Sequence, residues 1–175
     1  MTSDLLQRGK HIKLAIFDVD GVLTDGRLYF DPEGREMKVF DVKDGHGMVM
    51  LRHAGITAAI LSARESAVVE KRMRDLGIEH VCMGRRDKLA AFQELLACTG
   101  ISADETAFMG DDLVDLPVLA RVGLAATVAD AHAEVQSRVH WASRHPGGRG
   151  AARELCELVL RARGLWEAAL GAHLQ

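Results

Sequence analysis

Short apolar runs recur along the chain, each followed by a stretch in which apolar and charged positions alternate at helical spacing. Residues 12–17 form the first run, too apolar for a strand with one wet face, and they open into Asp-Val-Asp-Gly. Residues 57–61, 80–83, 106–109 and 124–128 read as further buried strands. Between them, residues 65–76, 87–97 and 113–123 carry helical periodicity, with Gly55, Gly77 and Gly123 placed as helix stops. Two strand-like pieces, 27–30 and 36–40, flank Asp-Pro-Glu-Gly and predict a projecting hairpin. Residues 43–55 read as a glycine-rich turn leading into an apolar helix, and Gly-Gly-Arg-Gly at 147–150 as a link into a C-terminal amphipathic helix. Strand and helix keep alternating, which predicts one α/β domain over 1–175: a three-layer, Rossmann-like parallel sheet with helices on both faces.

Composition narrows the class. Apolar residues make up 48% of the 175 and charged residues 27%, so the whole chain has the means to fold. The balance of 22 basic against 25 acidic residues supplies no field that would recruit nucleic acid or an anionic membrane. Cys82, Cys98 and Cys156 are odd in number and lack a CxxC spacing, which speaks against a disulfide framework or zinc site. With a polar opening and only strand-sized apolar runs, the expectation is a cytoplasmic protein.

The chemistry lies where the predicted strands end. In open parallel sheets, ligands bind beyond the carboxyl ends of the strands. Asp18 and Asp20 follow one strand there; Asp111 and Asp112 follow another, with Asp115 one turn on. Carboxylates gathered at one rim repel unless a cation separates them, and an oxygen-only ligand set suits Mg2+. Ser62 ends a strand and Lys88 begins a helix at the same edge. A nucleophile, a metal, a cation and a proton donor are the parts that phosphoryl transfer requires. Blander readings compete: Asp112 and Asp115 also suit helix capping, Arg64 and Arg72 a solvated helix face, and Gly147 to Gly150 a flexible linker.

The segments FDVDGVLTDG, LSAR, Lys88 and GDDLVD resemble, in order, the four signatures of the haloacid dehalogenase phosphatases. That resemblance implies Asp18 as covalent nucleophile, Asp20 as acid and base, Ser62 and Lys88 as phosphoryl ligands, and Asp18, Asp111 and the Asp20 carbonyl as metal ligands. Asp112 and Asp115 would support them. A narrower likeness, through FDVKDGHG, SARES, VADAH and GGRGAARELCELVL, is to the 3-deoxy-D-manno-octulosonate 8-phosphate phosphatases. It implies a small hairpin flap at about 27–40 in place of a large cap, and a homotetramer in which the flap or a tail at about 146–175 completes a neighbour's site.

The same likeness places Asp41, Val42, Lys43, Asp44 and Gly45 against the sugar, with Arg64 and Arg72 on its anionic groups, and Asp20, Lys88 and Arg149 are counted among the substrate contacts. Ser62-Ala63 stands where Thr-Gly is commoner, and Val49 where an arginine is often found. The implied activity is hydrolysis of that sugar acid phosphate on the way to lipopolysaccharide. The rival readings are a phosphatase of a nine-carbon sialic-type acid 9-phosphate, a phospho-accepting signalling module, and an inactive assembly relic.

Overall fold

The structure is a computed structural model that describes residues 3–174. In chain order it runs α1 (Ser3–Lys10), β1 (Leu14–Phe17), β2 (Tyr29–Phe30), β3 (Glu36–Met37), α2 (Val42–His53), β4 (Thr57–Leu61), α3 (Ala67–Asp75), β5 (His80–Cys82) and α4 (Lys88–Thr99). It continues through β6 (Thr106–Met109), α5 (Leu116–Leu119), β7 (Leu124–Thr127), α6 (Ala133–Gln136), β8 (Trp141–Ala142), α7 (Ala151–Ala162) and α8 (Trp166–Gly171). Six strands form one sheet in the order β5-β4-β1-β6-β7-β8, every pair parallel.

Strand parity builds the two cores. Leu14 and Ile16 of β1 join Ala59, Leu61, Phe108 and Ala125 on one face, under Phe92 and Leu95 of α4 and Val118 of α5. Ala15 and Phe17 join Ala58, Ile60, Ala107 and Met109 on the other, under α2 and α7. Both faces are covered, as continuous apolar strands require. β1 lies at the centre, so its carboxyl end, where Asp18 begins, is walled by loops from β4 and β6.

The elements differ from the sequence expectation where glycines serve packing. Residues 43–47 belong to α2, which starts at Val42 with Asp41 as its cap, the carboxylate accepting from Lys43 N at 2.6 Å. The glycine turn expected there is helix: a Cβ on Gly47 would lie 3.0 Å from Arg153 Cδ and 3.2 Å from Cys156 Cβ, so glycine lets α7 approach closely. The helix expected over 113–123 is shorter, a tight turn at Leu113–Asp115 followed by α5. α1, α6 and β8 had no counterpart in the sequence pattern.

The segment expected as a tail is part of the fold. α7 buries Ala151, Ala152, Leu155, Cys156, Leu158, Val159 and Leu160 against its own subunit. Gly147 to Gly150 is not slack either: Gly148 N donates to Val22 O at 2.8 Å, Gly147 N to Asp130 Oδ1 at 2.9 Å, and Gly150 N to Asp44 Oδ2 at 3.1 Å. This backbone strap lies directly on the loop that carries Asp18 and Asp20.

A Cβ on Gly147 would fall 1.9 Å from the Gly21 carbonyl oxygen, a contact that only displacement of one backbone relieves. Gly147→Ala is expected to cost about 1–3 kcal/mol, read as a fall in Tm of roughly 2–12 °C for a domain of this size. Gly171→Ala, in α8, where nothing lies within 4 Å of the added carbon, should not lower Tm.

Candidate active site

Four loops converge beyond the carboxyl ends of β1, β4 and β6 and the amino end of α4. They enclose a cavity of about 270 Å3 lined by Asp18, Asp20, Gly26, Ser62, Ala63, Arg64, Lys88, Asp111, Asp112 and Val114. Asp18 extends β1 by one residue, its N–H donating to Met109 O at 3.0 Å. Its Oδ1 accepts from Val19 N at 2.7 Å, which fixes the carboxylate against its own backbone. Ser62 is held by Cys82 O at 2.9 Å, and its Oγ accepts from Arg64 N at 3.3 Å.

Lys88 is only 3% exposed, although it opens a helix, where an exposed cation is mildly unfavourable. Asp87 caps α4 through Ala90 N at 3.0 Å, and Lys88 points the other way, into the site. Its ammonium donates to Asp18 Oδ2 at 2.6 Å and to Asp115 Oδ1 at 2.5 Å. Asp115 is wholly buried, and its second oxygen accepts from Asp111 N at 3.0 Å and Asp112 N at 3.2 Å. It therefore does two things at once: it shapes the Gly-Asp-Asp loop and anchors the lysine. Asp112 is exposed and caps the following turn through Leu113 N at 2.7 Å.

Asp18, Asp111 and Asp115 each bring an oxygen within 4.8 Å of the others. Three carboxylates stand around one ammonium, which pairs with Asp18 and Asp115 only, a formal excess of two negative charges in a water-poor site. Burial, with the neighbouring Asp115 charge adding to it, pushes the Asp18 carboxyl up to about 7 against the opposing pull of Lys88. Burial, then the charges of Asp18 and Asp115, pushes Asp111 up to about 8. Hard oxygen ligands with a surplus charge of two fit a divalent cation such as magnesium.

Of the residues expected on phosphate or metal, Asp18, Asp20, Ser62, Lys88 and Asp111 all line this cavity, and Arg64 joins them at its edge. Asp41, Val42, Lys43, Asp44, Gly45, Arg72 and Arg149 do not. Asp44 is buried and accepts from Gly150 N at 3.1 Å and Arg153 N at 2.7 Å, so its carboxylate caps α7. Gly45 is buried beneath Arg72, whose Nη2 would stand 2.4 Å from an added Cβ. Val42, Lys43 and Arg149 are exposed.

A charged flap residue beside the site escaped the sequence reading. Lys38 of the flap hydrogen-bonds Asp20 Oδ1. Parity along 36–40 carried the signal, since Glu36, Lys38 and Phe40 share one face while Met37 and Val39 point outward.

The raised carboxyls fix a sign. Unfolded, both acids titrate near 3.8; folded and without a cation they hold protons to about pH 7 and 8, so stability present below about pH 4 is lost as pH rises through 8. Thermal melts in chelator should therefore show these groups lowering Tm between pH 5 and pH 8, and added magnesium should raise Tm more at the higher pH. A cation effect independent of pH would count against shared carboxylate ligation.

A family profile described as haloacid dehalogenase-like hydrolase matches residues 77–155. The chain is 44% identical over 171 residues to the 3-deoxy-D-manno-octulosonate 8-phosphate phosphatase of Yersinia pestis, which covers 98% of this chain and 91% of that one. Among solved structures, a probable YrbI family phosphatase from Pseudomonas syringae superposes with TM-score 0.97 at 53% identity, covering 99% of each chain. The 3-deoxy-D-manno-octulosonate 8-phosphate phosphatase of Moraxella catarrhalis, in complex with a magnesium ion, a phosphate ion and a KDO molecule, superposes at 0.95 with 38% identity over 100% of each chain. With that likeness spanning nearly the whole length, and with the acids, serine and lysine of all four signatures meeting in one cavity, the chain belongs to the haloacid dehalogenase-like hydrolases and, within them, to the 3-deoxy-D-manno-octulosonate 8-phosphate phosphatase family.

Proposed function

We propose that this protein is a magnesium-dependent phosphomonoester hydrolase that acts on 3-deoxy-D-manno-octulosonate 8-phosphate, in the cytoplasm, on the route to lipopolysaccharide precursors. The observation that carries this reading is the meeting of Asp18, Ser62, Lys88 and Asp111 in one cavity, in a chain so similar to phosphatases named for that substrate. The three cysteines are free, which suits a reducing compartment.

In this reading Asp18 Oδ attacks phosphorus in line, the bond from phosphorus to the sugar oxygen breaks, and an aspartyl phosphate forms. Asp20 gives a proton to the departing sugar oxygen, then takes one from the water that hydrolyses the acyl phosphate. Lys88 has three N–H donors; two hold Asp18 and Asp115, leaving the third for a phosphoryl oxygen beside the Ser62 hydroxyl. Magnesium, held by Asp18, Asp111 and the Asp20 carbonyl, would neutralise charge on the phosphoryl oxygens. Asp115 orients both Lys88 and the Asp111 loop, and Asp112 secures that loop's turn.

Arg64 at the cavity edge suits the sugar carboxylate, because a guanidinium donates two parallel bonds. The remaining candidates, Asp41, Val42, Lys43, Arg72 and Arg149, lie outside this subunit's cavity. We assign them to a neighbour's site in a homotetramer. The flap supports such an arrangement, since Leu28, Phe30, Met37 and Val39 are all more than half exposed on it. Exchanging Phe30 and Val39 for glutamate is expected to lower the assembly mass in light scattering; an unchanged mass would remove the flap from the interface.

Asp18→Asn should abolish magnesium-dependent phosphate release, with a loss of at least about a thousandfold for removal of a covalent nucleophile, while circular dichroism shows a folded protein. Retained turnover would defeat the assignment. A panel holding the eight-carbon acid 8-phosphate and the nine-carbon sialic-type acid 9-phosphate fixes the substrate, and the first should give the higher kcat/KM.

A further inference from the structure

The flap is a two-stranded ribbon that leaves Leu28, Phe30, Met37 and Val39 exposed, while Glu36 of β3 and Lys38 just after it turn toward charged partners on the body. Lys38 is the extreme case, with a side chain only 3% exposed. A lysine on so small a ribbon ordinarily keeps its ammonium in water, because burying it costs hydration that only close partners restore. Here the partners are Asp20, hydrogen-bonded through Oδ1, and Glu36, whose Oε1 lies 3.3 Å away. That same Glu36 oxygen accepts from Arg64 Nη2 at 2.7 Å. An unbroken series of charges, Asp20 to Lys38 to Glu36 to Arg64, thus runs from the loop after β1, across the flap, to the loop after β4.

We propose that Lys38 is a positioning residue for Asp20, holding Oδ1 so that Oδ2 is the oxygen that exchanges the proton with the sugar's leaving oxygen. Glu36 fixes the lysine in turn, so the seat of the flap and the aim of the acid are set by one network. Lys38 keeps its own proton throughout. The proton that balances cleavage of the phosphorus–oxygen bond comes from Asp20 and is restored to Asp20 by the hydrolytic water. The inference rests on the reading of Asp20 as acid and base given above.

The test is steady-state kinetics of the full chain with magnesium, using 3-deoxy-D-manno-octulosonate 8-phosphate and p-nitrophenyl phosphate. The second substrate loses a stable phenolate and has little need of a proton donor. Lys38→Met should lower kcat on the sugar phosphate at least about tenfold, a fraction of what acid catalysis contributes, with KM within about threefold, and should cost p-nitrophenyl phosphate turnover several-fold less. Lys38→Arg, which keeps the charge, should recover part of the loss. Combined with Asp20→Asn, Lys38→Met should add nothing, because the two act as a unit.

Equal losses on both substrates, a loss confined to KM, or additive losses in the double variant would each overturn the proposal. Loss of folded protein lowers both rates alike and so also counts against it. If Asp20→Asn is itself fully active, the acid assignment above fails; if Asp20→Asn is inactive and Lys38→Met is unaffected, only this inference fails.

Discussion

A lysine ammonium shut away from water between two buried carboxylates is the constraint on which the site depends. Lys88 sits 2.6 Å from Asp18 and 2.5 Å from Asp115, with almost none of the three exposed. Breaking a buried pair of this kind commonly costs about 3–5 kcal/mol, because the surviving charge has no water to turn to. The triad therefore locks the end of β1, the start of α4 and the loop after β6 to one another. Local charge stays unbalanced even so, with Asp111 added to the cluster, and that residual negative charge makes the cavity a receptor for a hard divalent cation.

Backbone packing complements this electrostatic lock. The strap at Gly147 to Gly150 presses on Gly21 and Thr24, and its last glycine shares the Asp44 carboxylate with the start of α7. α7 is itself buried between α1 and α2, so the loop bearing Asp18 and Asp20 is braced by the far end of the chain. Loops that bear chemistry need such a rigid frame, since misplacement by an ångström costs orders of magnitude in rate. The glycines here do the bracing by having no side chain to hold the two backbones apart.

The flap is held differently. It adds little to either core beyond Phe40, and much of its contact with the body is polar: Lys38 on Asp20, Glu36 on Arg64 and the Tyr29 hydroxyl donating to Asp25 Oδ2 at 2.8 Å. A few polar contacts, with Arg64 reaching into solvent, fasten a ribbon less firmly than the apolar burial of a packed helix. A lightly fastened element over a rigid cavity suits an enzyme that must admit a charged sugar and release two products.

The central architecture was legible in the amino-acid order. Runs such as Leu14–Phe17 and Thr106–Met109 are apolar on both parities, which only a sheet covered on both faces accommodates, and Asp18, Asp111 and Lys88 follow from their places at strand and helix ends. Short-range pattern suffices there because strand burial and helix capping are decided by neighbours in sequence. It fails where contacts bridge distant segments. Gly47 reads as a turn until α7 is seen lying against it, the capping of α7 by Asp44 has no sign in the local sequence, and Gly147 reads as a linker until it meets Gly21. Lys38 drew no reading from the sequence, because its partner Asp20 is reached only when the flap folds onto the body. Each is set by a partner from elsewhere in the chain, and no local propensity encodes which distant group will arrive.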